Sequence, residues 1–160
     1  TGHGLAKLPY IRDTRRSVGL DDFLLMVADL QPVEGEGLAR RFVDRIAIGA
    51  YPVDIHKLAN RAYPEYVDRH YDVAPFTIPF RALTNKRFGN LLVAGKTMAQ
   101  SFLANSATRL HPIEWSTGTA AGVVSAIMHR EKKTSRQLYN DISKVQQEVR
   151  KYTPIDWTIR

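Results

Sequence analysis

The sequence has no cysteine, which excludes disulfides, thiolate-bound zinc and thiol redox chemistry within its 160 residues. The lack chooses no compartment, because a reduced cytosol and a disulfide-free secreted protein both fit it. Long hydrophobic runs are missing too. The runs present, such as Leu91 to Gly95, are only a handful of residues, far shorter than the roughly 20 that cross a bilayer. No charged segment followed by an apolar one opens the chain, an absence that excludes nothing if a leader lies upstream. Internal repeats and low-complexity stretches are absent as well, which argues against fibrous, collagenous and disordered classes.

What is present belongs to a globular protein: 44% hydrophobic and 24% charged residues. A chain of 160 residues can bury one real core and is too short for two ordinary domains. The formal charge is +7, but its carriers are scattered. Arg12, Arg15 and Arg16 stand early, Arg40, Arg41 and Arg45 follow, and Arg130, Lys132 and Lys133 come late. No basic stretch is interleaved with stacking aromatics, so a solvated basic surface is expected rather than nucleic-acid binding.

Along the chain, the first third reads as strands joined by loops. Residues 16–27 carry apolar and β-branched side chains around Gly19, and residues 31–37 form a loop by their Pro and Gly content. Residues 44–51 alternate as a half-buried strand does, ending at Pro52. Residues 58–71 are a short helix or an irregular excursion, with Pro64 against one continuous helix. Residues 76–81 read as a short extended piece that tolerates Pro79 at an edge. Asn90, Leu91, Leu92, Val93, Ala94 and Gly95 look like a strand buried on both faces, as in parallel sheets. A linker with Arg109 and Pro112 follows, then a helix from about Gly118 to Arg130, apolar nearly all round. Thr134 and Gln137 form a capping-box pattern. After it, Leu138, Ile142, Val145, Val149 and Tyr152 make one apolar stripe of an outer helix.

The informative stretch is residues 90–122. Small residues at Gly118, Ala120, Ala121 and Gly122 would let another group approach a first helical turn. The free amides and positive dipole end there would favour a pyrophosphate or a reduced flavin ring.

Several motifs in order resemble those of the FAD-dependent oxidoreductases, within the wider glutathione-reductase-like flavoproteins. Arg12-Asp13-Thr14-Arg15-Arg16 is similar to that family's Arg-Glu-Ser-Arg-Arg run, and residues 47–56, from Ala47 through Gly49 and Tyr51 to Asp54 and His56, resemble its Ala-Ile-Gly-Ser-Tyr-Pro-Ile-Asp-Ile-His. Ile78-Pro79-Phe80-Arg81 resembles Ile-Pro-Tyr-Arg. Residues 90–96 resemble Asn-Leu-Leu-Val-Ala-Gly-Arg with Lys96 at the end, and Arg109, Pro112 and Gly118 to Gly122 keep the spacing. The resemblance spans roughly residues 9–152.

Two departures stand out. Where the family has a Thr-His-Glu run, this chain has Ser101, Phe102 and Leu103, so any proton or substrate role of that pair is vacant. No Gly-Xaa-Gly-Xaa-Xaa-Gly unit is present, and Thr1-Gly2-His3-Gly4 cannot serve.

The resemblance implies an incomplete α/β fold: the last strand and helices of a Rossmann-like FAD-binding domain plus β-rich elements of a substrate domain. Residues 1–74 would belong to the substrate side, 75–134 to the FAD-binding domain, and 135–160 to a tail helix and extension. The expected function is hydride or electron transfer between a small organic substrate and FAD in the complete protein. The missing N-terminal nucleotide-binding part would be a partner, and these residues alone would neither hold FAD nor turn over. The alternative is a non-catalytic or degenerate flavin fold without cofactor.

Cofactor contacts would come from Ala94, Gly95, Lys96, Thr117, Gly118, Thr119, Ala120 and Gly122. For the two helical glycines the competing role is close helix–strand packing. His56 is a candidate acid or base, against a structural histidine. Arg109 is a candidate partner for a carboxylate, against a structural salt bridge. Arg12, Arg16 and Arg81 are candidate substrate-binding cations, and His111 reads as a packing or rim residue. No metal site is expected.

Overall fold

Arg45, Ile46, Ala47, Ile48 and Gly49 form strand β1 (Arg45–Gly49) in a computed structural model that describes residues 16–56, 62–154 and 156–157. β1 pairs antiparallel with β2 (Phe76–Pro79), with Ala47 opposite Ile78, Ile48 opposite Thr77 and Gly49 opposite Phe76, and with an irregularity between Arg45 and Ala47. Pro79, which has no amide to donate, ends β2 as an edge position requires. This two-stranded sheet is the only one among the described residues. A hairpin of that size is marginal alone, and it is held by what covers it.

The cover is helical. α1 (Glu65–Asp68) is a single turn directly after Pro64, and residues 58–61 of the excursion expected there lie outside the described residues. α2 (Phe102–Thr108), α3 (His111–Glu131), α4 (Ser135–Asn140) and α5 (Ile142–Arg150) follow. α3 lies against β1 and α5, and α5 also reaches β1. Gln146 closes the exposed edge, its Nε2 donating to Val43 O at 2.8 Å and Arg45 O at 2.9 Å. Gly49 makes the helix-on-strand contact possible: a Cβ there would stand 2.5 Å from the Phe76 ring and 2.7 Å from Ile113 Cδ1. One hydrophobic cluster runs from Leu25 through Ile46, Phe76 and Val124 to Val149 and Trp157. It draws on both sides of position 74, and β1 pairs with β2 across it.

The fold is therefore broadly α/β, but several expected elements differ. Residues 16–27 do not form a strand. A 3₁₀ turn at Leu20–Asp22 and another at Val27–Asp29 break it, with one isolated bridge from Leu25 to Gln100. Asp21 and Asp22 both sit at φ 57°, a conformation that short polar side chains tolerate. Cations tether them there: Arg136 donates to both Asp21 oxygens, and Lys86 to Asp22.

Residues 91–94 are extended but belong to no sheet. Val93 donates to Leu83 O at 2.7 Å, Leu91 is 42% exposed, and no described strand lies on the other side. A continuous apolar run reads as a strand whether or not partners exist to pair with it.

The expected linker, Lys96 to Ser116, holds all of α2 and the start of α3. Thr134 caps α4 as expected, donating its N–H to Gln137 Oε1 at 2.9 Å and accepting from Gln137 N–H. The outer helix then breaks at Asp141 (φ −118°, ψ 46°) into α4 and α5. Leu138, Val145 and Val149 are buried, but Tyr152 lies beyond the end of α5 and is 65% exposed.

Candidate functional site

Ser101 starts α2 by accepting the Ala104 N–H at 3.1 Å, which satisfies an otherwise orphan donor. From that start, Phe102, Asn105, Ser106 and Arg109 fall on one face of the helix, three and four residues apart. They form one wall of a cavity of about 60 Å³ whose other lining residues are Asp54, Ile55, His56 and Tyr63. Asp54 and His56 reach it because the chain leaves β1 at Gly49 and runs back over α2.

The two candidate catalytic residues meet here through a third. Arg109 Nη2 donates to the Asp54 carbonyl at 2.8 Å and to Asp54 Oδ2 at 3.1 Å. His56 Nε2 lies 3.1 Å from the same Oδ2. An ionised carboxylate only accepts, so Nε2 carries the hydrogen and Nδ1 is left as the acceptor of the neutral ring. Arg109 has a side chain only 7% exposed, while Asp54 and His56 are 40% and 50% exposed. The Tyr63 and Phe102 rings stand 5.8 Å apart at the mouth. Behind the wall, Gln100 Nε2 donates to Asn105 Oδ1 at 3.2 Å and its Oε1 accepts from the Thr108 hydroxyl. These three side chains are at most 2% exposed, so the wall is fixed by satisfied buried polar groups.

The second feature adjoins the first through the joint between α2 and α3, where Arg109 lines the cavity and His111 begins the next helix. The helix expected to open at Gly118 opens seven residues earlier. Pro112 sits in its first turn, where the missing N–H costs nothing and the fixed φ suits a helix. The amides of Gly118 to Gly122 are thus interior to the helix rather than free at its start. Ile113 and Glu114 already donate to Leu110 O, and Glu114 places an acid in the first turn, satisfying much of the dipole end.

The loop and the helix expected to share a cofactor are nevertheless side by side. Gly95, at φ +66°, donates its N–H to Thr117 Oγ1 at 3.2 Å, and a Cβ on it would lie 3.5 Å from Glu114 Oε1. Ala94 and Lys96 flank it, half-buried. Thr117 and Ala120 turn inward and are 0% exposed, Thr119 is half-buried, and Gly118 and Gly122 face outward. A Cβ at either glycine would meet nothing within 4 Å among the described residues. Packing among the described residues therefore gives no reason for glycine at these positions. An open hollow lined by His111, Glu114, Trp115, Gly118 and Thr119 runs along this face, and Trp115 is 79% exposed.

The remaining candidates lie elsewhere. Arg81 grips the buried Asp44, with N–H to Oδ2 at 3.1 Å, Nε to Oδ2 at 3.0 Å and Nη2 to Oδ1 at 3.3 Å. It also stacks over Phe23 and Tyr139. Burial opposes its charge, but the hydrogen bonds and the charge of Asp44 outweigh that and hold its pKa above the ordinary arginine value. Arg16 is half-buried at the start of the described chain; Arg12 lies outside the described residues. Among the described residues no three His, Asp or Glu side chains gather as a metal site would need, and no helix is long and apolar enough to cross a membrane.

Residue-type reasoning singled out His56 and Arg109 but left out Asp54, Tyr63, Asn105 and Ser106. The signal was available in the spacing of positions 102, 105, 106 and 109, a helical face within a stretch read as a linker.

A family model described as FAD dependent oxidoreductase matches residues 2–149. No curated protein and no solved structure matches the chain.

Proposed function

The chain belongs to the FAD-dependent oxidoreductases, and from that premise we propose that the outer face of α3, with the loop at Ala94, Gly95 and Lys96, receives FAD. The family's role is a FAD-dependent redox one, with FAD the cofactor of the complete protein. The proposed reaction is hydride or electron transfer between a small organic substrate and the flavin, with the substrate's reacting end toward the cavity at Asp54, His56 and Arg109.

The observation that carries this reading is the open face. Gly118 and Gly122 have nothing against them, so a flat group could come within contact distance of the helix backbone. Trp115 exposes a large apolar surface beside them, as binding surfaces do. Gly95, already turned to positive φ, brings the loop backbone to the same face without a side chain in the way. The residues present therefore fit a flavin ring system better than a pyrophosphate, since Glu114 would repel a second anion at the helix start.

When bound, the flavin supplies the redox chemistry. The chain supplies position and proton handling. Thr117 holds the loop against the helix by accepting the Gly95 N–H. Trp115 shields one side from water. His56, oriented by Asp54, offers Nδ1 to a proton on a substrate group in the cavity. Residues 1–74 would then serve the substrate side, 75–134 the cofactor side, and 135–160 the outer cover. Phe102 and Leu103, at the place of the family's His-Glu pair, favour the second reading, a flavin fold that holds no cofactor.

Hydroxyl-radical footprinting of the flavin-loaded and flavin-stripped protein decides between them. Trp115 should be protected by flavin, while Trp157, 1% exposed, should not change. A complete protein, with its nucleotide-binding part, that purifies without visible flavin absorbance and takes up none supports the second reading. Equal oxidation of Trp115 in both states places the flavin elsewhere.

A further inference from the structure

We propose that the cavity under the α2–α3 joint binds a neutral, hydrogen-donating group of the substrate, a hydroxyl or a carboxamide, and that Asp54 sets this selectivity by neutralising Arg109. The inference rests on reading the cavity as the substrate side of the protein.

A guanidinium with a side chain only 7% exposed would ordinarily mark a carboxylate pocket. Here its charge is already met. Arg109 Nη2 donates to both the carbonyl and the carboxylate of Asp54. Of the described residues lining the cavity, only Asp54 and Arg109 carry a fixed charge, and the two cancel. A substrate carboxylate placed there would be desolvated without a free counter-charge and would lie close to the Asp54 oxygens.

Two of the other lining groups point the same way. Ser106 Oγ gives its hydrogen to Leu103 O at 2.6 Å and so presents lone pairs. His56 gives Nε2–H to Asp54 and keeps Nδ1 as an acceptor. Acceptors of this kind satisfy a ligand that donates, which a carboxylate cannot do and a hydroxyl or amide N–H can. At about 60 Å³ the space exceeds the roughly 30 Å³ share of a single water. It suits the polar end of a larger substrate whose body would lie along the touching Tyr63 and Phe102 rings.

Acetamide and acetate differ by little except charge and the ability to donate, so they test the proposal directly. Each is titrated into ¹⁵N-labelled protein at pH 8 while the amide signals of Asn105 and Ser106 are followed. Acetamide should give saturable millimolar shifts and acetate none. Asp54→Asn, which frees the guanidinium, should bind acetate at least tenfold more tightly than the native protein does. Ser106→Ala should weaken acetamide several-fold, which keeps the idea testable if the Asp54 variant fails to fold. Acetate saturating the native protein as readily as acetamide overturns the selectivity. Binding of neither overturns the cavity as a ligand site and leaves the flavin face untouched, because Trp115 footprinting reports on that separately.

Discussion

On one side of α3, Ala120, Val124 and Ile127 are 0–1% exposed against β1 and α5. On the other, Trp115 is 79% exposed, and a Cβ at Gly118 or Gly122 would meet nothing within 4 Å among the described residues. Folding alone explains the first face, because each apolar side chain there is removed from water. It does not explain the second. Glycine in a helix interior costs roughly 0.5–1 kcal/mol relative to alanine, and an exposed tryptophan forgoes the burial of a large apolar surface. The outer face therefore carries residues that weaken the isolated helix, which is the mark of a surface shaped for something that approaches it.

The comparison can be broken from either side. The largest effect is expected for Ile127→Ala on the packed face: a cavity in the core should cost about 2–5 kcal/mol, read by denaturant unfolding. A loss under about 0.5 kcal/mol would mean that this face is not the packed one.

Gly49→Ala sharpens the same point from the strand side. Its Cβ would meet the Phe76 ring at 2.5 Å and Ile113 at 2.7 Å, so α3 must shift, at a cost of about 1–3 kcal/mol. By contrast Gly118→Ala, on the open face, should stabilise the chain by up to ~1 kcal/mol, because alanine is the better helix former and the added methyl meets nothing.

The smallest effect concerns the far end of the helix, where Glu131 ties α3 to α5. Hydrogen bonds from Lys144 and Lys133 pull its pKa down from 4.5 to about 2. Because the folded value is the lower one, the contribution is present above about 4.5 and fades as pH falls toward 2. Lys144→Met should raise the pH of acid unfolding slightly, and added salt should shrink the difference. An unchanged acid transition would show that the tie adds nothing.

Parts of this arrangement were legible in the sequence and parts were not, for identifiable reasons. The alternation of residues 44–51 marked β1 (Arg45–Gly49), and the Thr134–Gln137 pair marked the start of α4, because both signals are local. The end of α3 at Glu131 fell within one residue of expectation. Its start did not, because Pro112 was taken for a linker residue when proline is welcome in a first turn. The apolar run of residues 91–94 is not a strand, since pairing depends on neighbours that local sequence does not contain. Asp21 and Asp22 turn the chain through positive φ with the help of Arg136, more than a hundred residues away. At the site, His56 and Arg109 stood out by residue type. Asp54, which joins them, stood out only once the chain was folded.

The central claim is that the outer face of α3 is open because the flavin lies on it, and Gly118 tests it most directly. Gly118→Leu is measured in the holoprotein for flavin content, by visible absorbance per polypeptide, and for unfolding stability after flavin is removed. The account predicts a several-fold loss of bound flavin, with the stripped protein no less stable than before and stabilised by up to ~1 kcal/mol, since leucine is a far better helix former than glycine and a side chain there meets nothing among the described residues. Normal flavin content in a folded Gly118→Leu protein would contradict it.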